Sequence, residues 1–236
     1  MTAGERDRPE SAGPRGKRGD LPMVQQAGGQ RSAPRSGPGR PDIRAYLRDY
    51  AALLESTPFP SVVHDHRWDV VLANSAYEEL FAEVGPHPTA MPGENLLRFV
   101  LFHPDAARVL GEHESSWCLP MLADFASAVE RHGHDRVLQA IRREIAQDPI
   151  MDVAYRHGVP HWLRAVGQDA GEPDGAVRPL RHPDPRWGGV CRVVGETPRT
   201  LREVGYARVT LVLREAGAAG PGQGGHHLRV VPPTAP

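Results

Sequence analysis

The chain has 236 residues, with 28 Lys and Arg against 29 Asp and Glu, for a formal charge of −1. That balance leaves no overall field to steer it toward nucleic acid or an acidic surface. Cys118 and Cys191 are too few and too far apart for a zinc site or a disulfide framework, and no apolar run approaches the ~20 residues that span a bilayer. A reduced cytoplasmic protein with no membrane segment and no metal or other cofactor is expected.

Residues 1–40 are rich in Gly, Pro, Arg and Ser, with almost no large apolar residue beyond Leu21, Met23 and Val24. Such a segment cannot bury enough surface to offset its ordering entropy and is expected to be disordered; its mildly basic balance reads as a solvated tail rather than a nucleic-acid arm. Residues 216–236 have the same linker-like character. The expected folded domain lies between, over 41–215.

Asp42 after Pro41 suits a helix N-cap, and Ile43, Tyr46, Leu47, Tyr50 and Leu53 recur behind it at helical spacing. Ser56-Thr57-Pro58 ends that helix. Two β-rich runs, Ser61–His64 and Trp68–Ala73, flank the polar turn Asp65-His66-Arg67 and predict a hairpin with Trp68, Val70 and Leu72 on one face. A helical block of about 80 residues follows. Asn74 caps a helix over Tyr77, Leu80 and Phe81, and Leu96, Leu97, Val100 and Leu101 mark the next. Pro104 opens a third over Ala107 and Leu110, and Met121, Leu122, Phe125, Ala128 and Val129 stripe a fourth. Asp135 caps a fifth over Val137, Leu138, Ile141 and Ile145, and Asp148-Pro149 begins a sixth containing Met151 and Tyr155. Beyond residue 175 the period changes from about four to two. Strands are expected over Val177–His182, Trp187–Val194 and Gly205–Leu213, the last with Val209, Leu211 and Leu213 opposite Tyr206, Arg208 and Thr210. The fold class is therefore α+β: an antiparallel sheet with two strands, a helical insert and three strands, PAS-like in chain order, with helices packed on one face.

No catalytic constellation is legible. G-x-S-x-G, a P-loop and H-E-x-x-H are all absent, and neither cysteine has an obvious His partner. The 12 histidines are scattered; His157 and His161 are four apart, but Gly158 and Pro160 between them argue against a shared helical face. No enzyme activity is expected.

Several stretches resemble the ligand-binding domain of MmyB-like bacterial transcription regulators. They are Thr57-Pro58 through Val63, Arg67-Trp68-Asp69-Val70-Val71-Leu72-Ala73-Asn74, Asn95-Leu96-Leu97-Arg98-Phe99-Val100-Leu101-Phe102 with Pro104-Asp105-Ala106-Ala107-Arg108, Trp117 with Leu122 downstream, and Arg181-His182-Pro183. The resemblance covers roughly residues 45–214. It implies a PAS-like fold whose helices and sheet enclose an apolar pocket for a small, fatty-acid-like molecule, in a cytoplasmic XRE-family regulator whose helix-turn-helix ordinarily precedes this domain. Ala73 stands where many relatives carry Trp. Pro and Gly interrupt every turn of residues 4–20, so no helix-turn-helix is expected there and no sequence-specific DNA binding by this chain alone. A homodimer or protein partner, without ligand, is the competing expectation.

The candidate ligand-binding residues are Trp68, Val70 and Leu72 from the hairpin, and Trp117 and Phe125 from the helical block. Leu97 and Leu101 join them from the stripe of the second helix of that block. Asn74 is an N-cap first and a ligand contact second. Asn95 and Arg98 are candidates for a polar head, because a guanidinium fork pairs two oxygens at once.

Overall fold

A computed structural model describes residues 42–167 and 174–214, all within one compact unit. The expectations for 1–40 and 216–236 fall outside the described residues. Asp42 caps α1 (Ile43–Glu55) by accepting from the Arg44 amide at 3.0 Å. The buried stripe of α1 runs through Tyr50 to Leu54, while Leu53 is 65% exposed; the helix keeps an i, i+4 step where the sequence reading took i+3.

Strands β1 (Ser61–His64) and β2 (Val70–Ala73) form the expected hairpin. Its turn is built by Asp65, whose carboxylate accepts from the Arg67 and Asp69 amides at 2.8 and 3.0 Å and whose carbonyl accepts from the Trp68 amide. Trp68 lies in that turn, with φ +63°, rather than in the strand. The register shifts between Val63 and His64, so Val63 faces Leu72 but His64 faces Val70. That bulge breaks the alternation: Val70 packs on the larger core, and Leu72 on the opposite face beside Val63 and Leu54. The expected common face of Trp68, Val70 and Leu72 is thereby lost.

The helical block comprises α2 (Ser75–Leu80), α3 (Leu96–Phe102), α4 (Ala106–Val109), α5 (Leu119–Arg131), α6 (Arg136–Gln147), α7 (Pro149–Val153) and α8 (Val159–Val166). Asn74, Asn95, Asp135 and Asp148 cap α2, α3, α6 and α7 through side-chain acceptors. A wide π turn over His113–Cys118 leads into α5, and another over Ala154–Gly158 carries α7 into α8. The helical path thus continues past Gly158 and Pro160, where the sequence suggested a break.

Three strands complete the sheet: β3 (Val177–Pro179), β4 (Val190–Val194) and β5 (Ala207–Arg214), with α9 (Arg199–Glu203), unexpected from the sequence, between the last two. The five strands are all antiparallel, in the order β2-β1-β5-β4-β3, consistent with a PAS-like arrangement. The helical block covers one face, where Val62, Val193 and Leu211 meet Phe99, Leu122, Phe125 and Ile141. On the other face Val63 of β1 joins Tyr50 and Leu54 of α1 and Leu201 of α9 in a smaller cluster. At ~1.5–3 kcal/mol for each fully buried large side chain, the larger cluster dominates stability. None of the described helices is long and apolar enough to cross a membrane.

Candidate ligand-binding site

Between the sheet and the helical block lies a cavity of about 690 Å³. Its inner end is apolar. Trp68 reaches it from the hairpin turn, Phe99 and Val100 from α3, Trp117 from the π turn before α5, Met121 from the start of α5, and Leu211 from β5. Each of these is under a tenth exposed. Sheet residues Val62, Val193 and Val209 floor it. The lining continues to exposed His66, Arg131, His132 and Arg202, so the cavity opens at the surface through a rim rich in cationic and imidazole groups.

Two of the walls are held rigidly. The Trp68 and Phe125 rings lie 6.3 Å apart at 49°, which fixes the Trp68 indole against α5. The Trp117 indole Nε1 donates to the Pro179 carbonyl at 3.0 Å, tying the helical block to β3. Tyr77 reaches the cavity from α2 and donates its hydroxyl to the Pro92 carbonyl at 2.9 Å; burial pushes that phenol's pKa up, so it stays a neutral donor.

Charged side chains also line it, among them Arg178 from β3 and Asp124 from α5. Arg178 is 5% exposed, and its guanidinium carbon sits 5.1 Å from the centroid of the Trp117 ring. Burial pulls its pKa down from the ordinary value, and the Asp124 charge works against that.

The residues expected at the site divide clearly. Trp68 and Trp117 line the cavity, and Phe125 backs Trp68. Leu97 and Leu101 are buried in the core, but α3 presents Leu96, Phe99 and Val100 to the cavity, a face one residue away from the expected one. Val70 packs on the core outside the lining, and Leu72 lies across the sheet. Asn74 is consumed by the chain itself. Its Oδ1 accepts from the Ser61 and Tyr77 amides, and its Nδ2 donates to the Leu54, Thr57 and Phe59 carbonyls. Asn95 Nδ2 donates to the Arg67 carbonyl and the Asp69 carboxylate at 2.9 and 2.8 Å while its Oδ1 caps α3. Arg98 closes its fork on Glu144, at 2.9 and 2.7 Å, and so is not turned to the cavity. Arg178, a buried charged group that does reach it, is not singled out by the sequence. Its signal is nevertheless there: in a strand, Arg178 shares a face with Leu180, and both are buried.

Nucleophile and metal chemistry find little support in the side chains. Cys118 Sγ lies 3.5 Å from His113 Nε2, but burial pushes its pKa up to about 12, as it does that of Cys191, so both remain thiols at neutral pH. Among the described residues, no three His, Cys, Asp or Glu side chains are grouped to hold a metal ion.

Compared with known families, residues 48–166 match a model described as MmyB-like transcription regulator ligand binding domain. That span is half of the chain; it begins within α1, ends with α8, and leaves β3, β4 and β5 beyond it. No curated protein matches the chain.

Proposed function

Since the chain belongs to the family of MmyB-like transcription regulator ligand-binding domains, we propose that it senses a small, largely apolar molecule of fatty-acid type, held between the helical block and the sheet. The observation that carries this reading is the apolar cavity of about 690 Å³, within the range of ~300–1,000 Å³ usual for small-molecule sites. An alkyl chain buried there contributes roughly 0.8 kcal/mol per CH₂, which favours a chain over a compact polar metabolite. We assign the domain no catalytic step and place it in the cytoplasm, as part of a DNA-binding regulator.

The route out of the cavity leads to α1. Arg208 lines the cavity and donates to the Tyr50 hydroxyl and the Thr57 hydroxyl, both at 3.3 Å. Tyr77 lines it too, and its amide shares Asn74 with the C-terminal end of α1. Occupancy that shifts Arg208 or Tyr77 therefore biases the position of α1, the helix nearest in sequence to whatever precedes the domain.

Native mass spectrometry of gently purified protein, followed by thermal shift with C8 to C16 fatty acids, tests the reading. Co-purified lipid, or a rise in Tm that grows with chain length, is expected. A protein that is always empty and shows no shift with any chain length overturns it, and a stable dimer or captured partner in that case favours a ligand-free interaction module.

A further inference from the structure

We infer that Arg178 reads the head of the molecule in the cavity, and that the ligand is an amphipath whose alkyl chain ends in a planar oxygen acceptor such as a carboxylate or an amide carbonyl. This rests on the cavity reading above. It concerns β3, which lies outside the span matched by the family.

Among the described residues Arg178 is the only buried arginine. A guanidinium removed from water is costly unless its donors are met. Other arginines show how this chain meets them: Arg98 holds Glu144 with two hydrogen bonds, and Arg67 holds Asp135. Arg178 has a different environment. Its carbon lies over the Trp117 ring, and the Asp124 charge acts on it, but no hydrogen bond to its guanidinium is formed by the described residues. A cation–π contact offsets part of the desolvation and uses none of the five N–H donors. Those donors share the cavity lining with apolar Phe99, Val100, Met121 and Leu211.

The placement is also preorganised. The backbone of Arg178 pairs with Cys191 in the β3–β4 ladder, and the ring beneath the guanidinium is pinned to the next residue, Pro179, through the Trp117 indole N–H. A rigid, planar, charged donor in a low-dielectric pocket selects a planar acceptor, because in-plane lone pairs meet the N–H donors without reorganisation, through two oxygens for a carboxylate and one for an amide carbonyl. A hydroxyl head has neither a second oxygen nor lone pairs held in one plane. The nearby Asp124 charge sets how strongly an anionic head is preferred over a neutral one, and the probes below separate those cases. The rim arginines Arg131 and Arg202 already donate to the Ser127 and Thr197 carbonyls and are exposed, so an acceptor there gains less.

The test measures binding of decanoate, decanamide and decanol to the full chain and to Arg178→Met, with Arg178→Gln as a second variant and a melt of each protein to establish that it is folded. Wild type is expected to bind decanoate or decanamide at least about tenfold more tightly than decanol. In either variant that preference shrinks to less than about threefold, while decanol affinity stays within about threefold of wild type. Equal binding of all three probes by wild type, or a folded variant that keeps the preference, overturns the role of Arg178 and leaves the cavity reading standing. Failure of all three to bind folded wild type overturns both.

Discussion

Asn74 uses all of its polar groups inside the protein. Its amide joins the end of α1, the start of β1 and the first turn of α2 through five hydrogen bonds, and the residue is 1% exposed. Asn74→Ala should cost about 2–4 kcal/mol in urea unfolding, combining loss of a cap with buried carbonyls and amides left unpaired. A loss under about 0.5 kcal/mol, the size of an ordinary surface effect, would show that water replaces the side chain at no penalty. Trp68 illustrates the opposite balance. Its left-handed backbone carries strain of roughly 1–2 kcal/mol, held in place because Asp65 binds both neighbouring amides and Phe125 fixes the indole. Its outcome is an aromatic wall turned into the cavity.

Among the elements, the two π turns share a cause. Each is followed by a helix whose second residue is proline, Pro120 in α5 and Pro160 in α8. Proline lacks an N–H and crowds the carbonyl four residues back, and a widened turn just before it relieves both problems without breaking the helical path. The sheet has its own constraint at the entry to β4. Gly188, with φ +67° and ψ −173°, occupies a region open essentially to glycine, and a Cβ there would press into the Arg214 carbonyl oxygen at the end of β5. Gly205, at φ +82°, stands in open space. Both alanine variants should lose the ~1–2 kcal/mol of left-handed strain, but Gly188→Ala should lose at least ~1 kcal/mol more, because a backbone carbonyl cannot swing aside as a side chain does. Equal melting temperatures for the two variants would show that the β4–β5 end yields freely.

For the whole molecule, stability should depend on pH through groups kept from charging. Burial lowers the pKa of His64 below its ordinary 6.5, against a smaller opposing effect of the Asp65 carbonyl, and burial does the same to His113, against its hydrogen bond to the Val100 carbonyl. Both histidines have depressed folded values, so the unfolded chain takes up protons that the folded one refuses. Their contribution is complete above about pH 6.5 and is lost as pH falls through the folded values. Asp135 adds a second limb. Burial pushes its carboxyl up, but the His66, Arg67, Val137 and Leu138 hydrogen bonds outweigh that and hold it well below 3.8, so its share is lost only at lower pH. Tm should therefore fall between pH 7.5 and pH 5.5, and the double variant His64→Gln/His113→Gln should flatten that slope. An unchanged slope in the double variant would assign the effect to other histidines.

Much of this fold was written locally. Asp42, Asn74, Asp135 and Asp148 announce helix starts because a short polar side chain answers the amides of its own next turn, whereas Asn95, expected at a ligand head, caps α3 instead. The hairpin, the late change of period and the motifs matching residues 48–166 were legible for the same reason: each depends on neighbours in sequence. The cavity was not. Periodicity places a residue on a face of its own element, but a cavity forms where faces of different elements fail to fill the space between them, and a one-residue error of phase exchanges Leu97 and Leu101 for Leu96 and Val100. One bulge moved Leu72 across the sheet, and one guanidinium–indole contact between residues 61 positions apart brought Arg178 to Trp117. The sequence by itself determined the succession of helix, hairpin, helical block and late strands, most of the caps and the family, but not α9. Only the tertiary structure decided which side chains meet around the ligand space, because that depends on how helices cross a sheet rather than on any period within them.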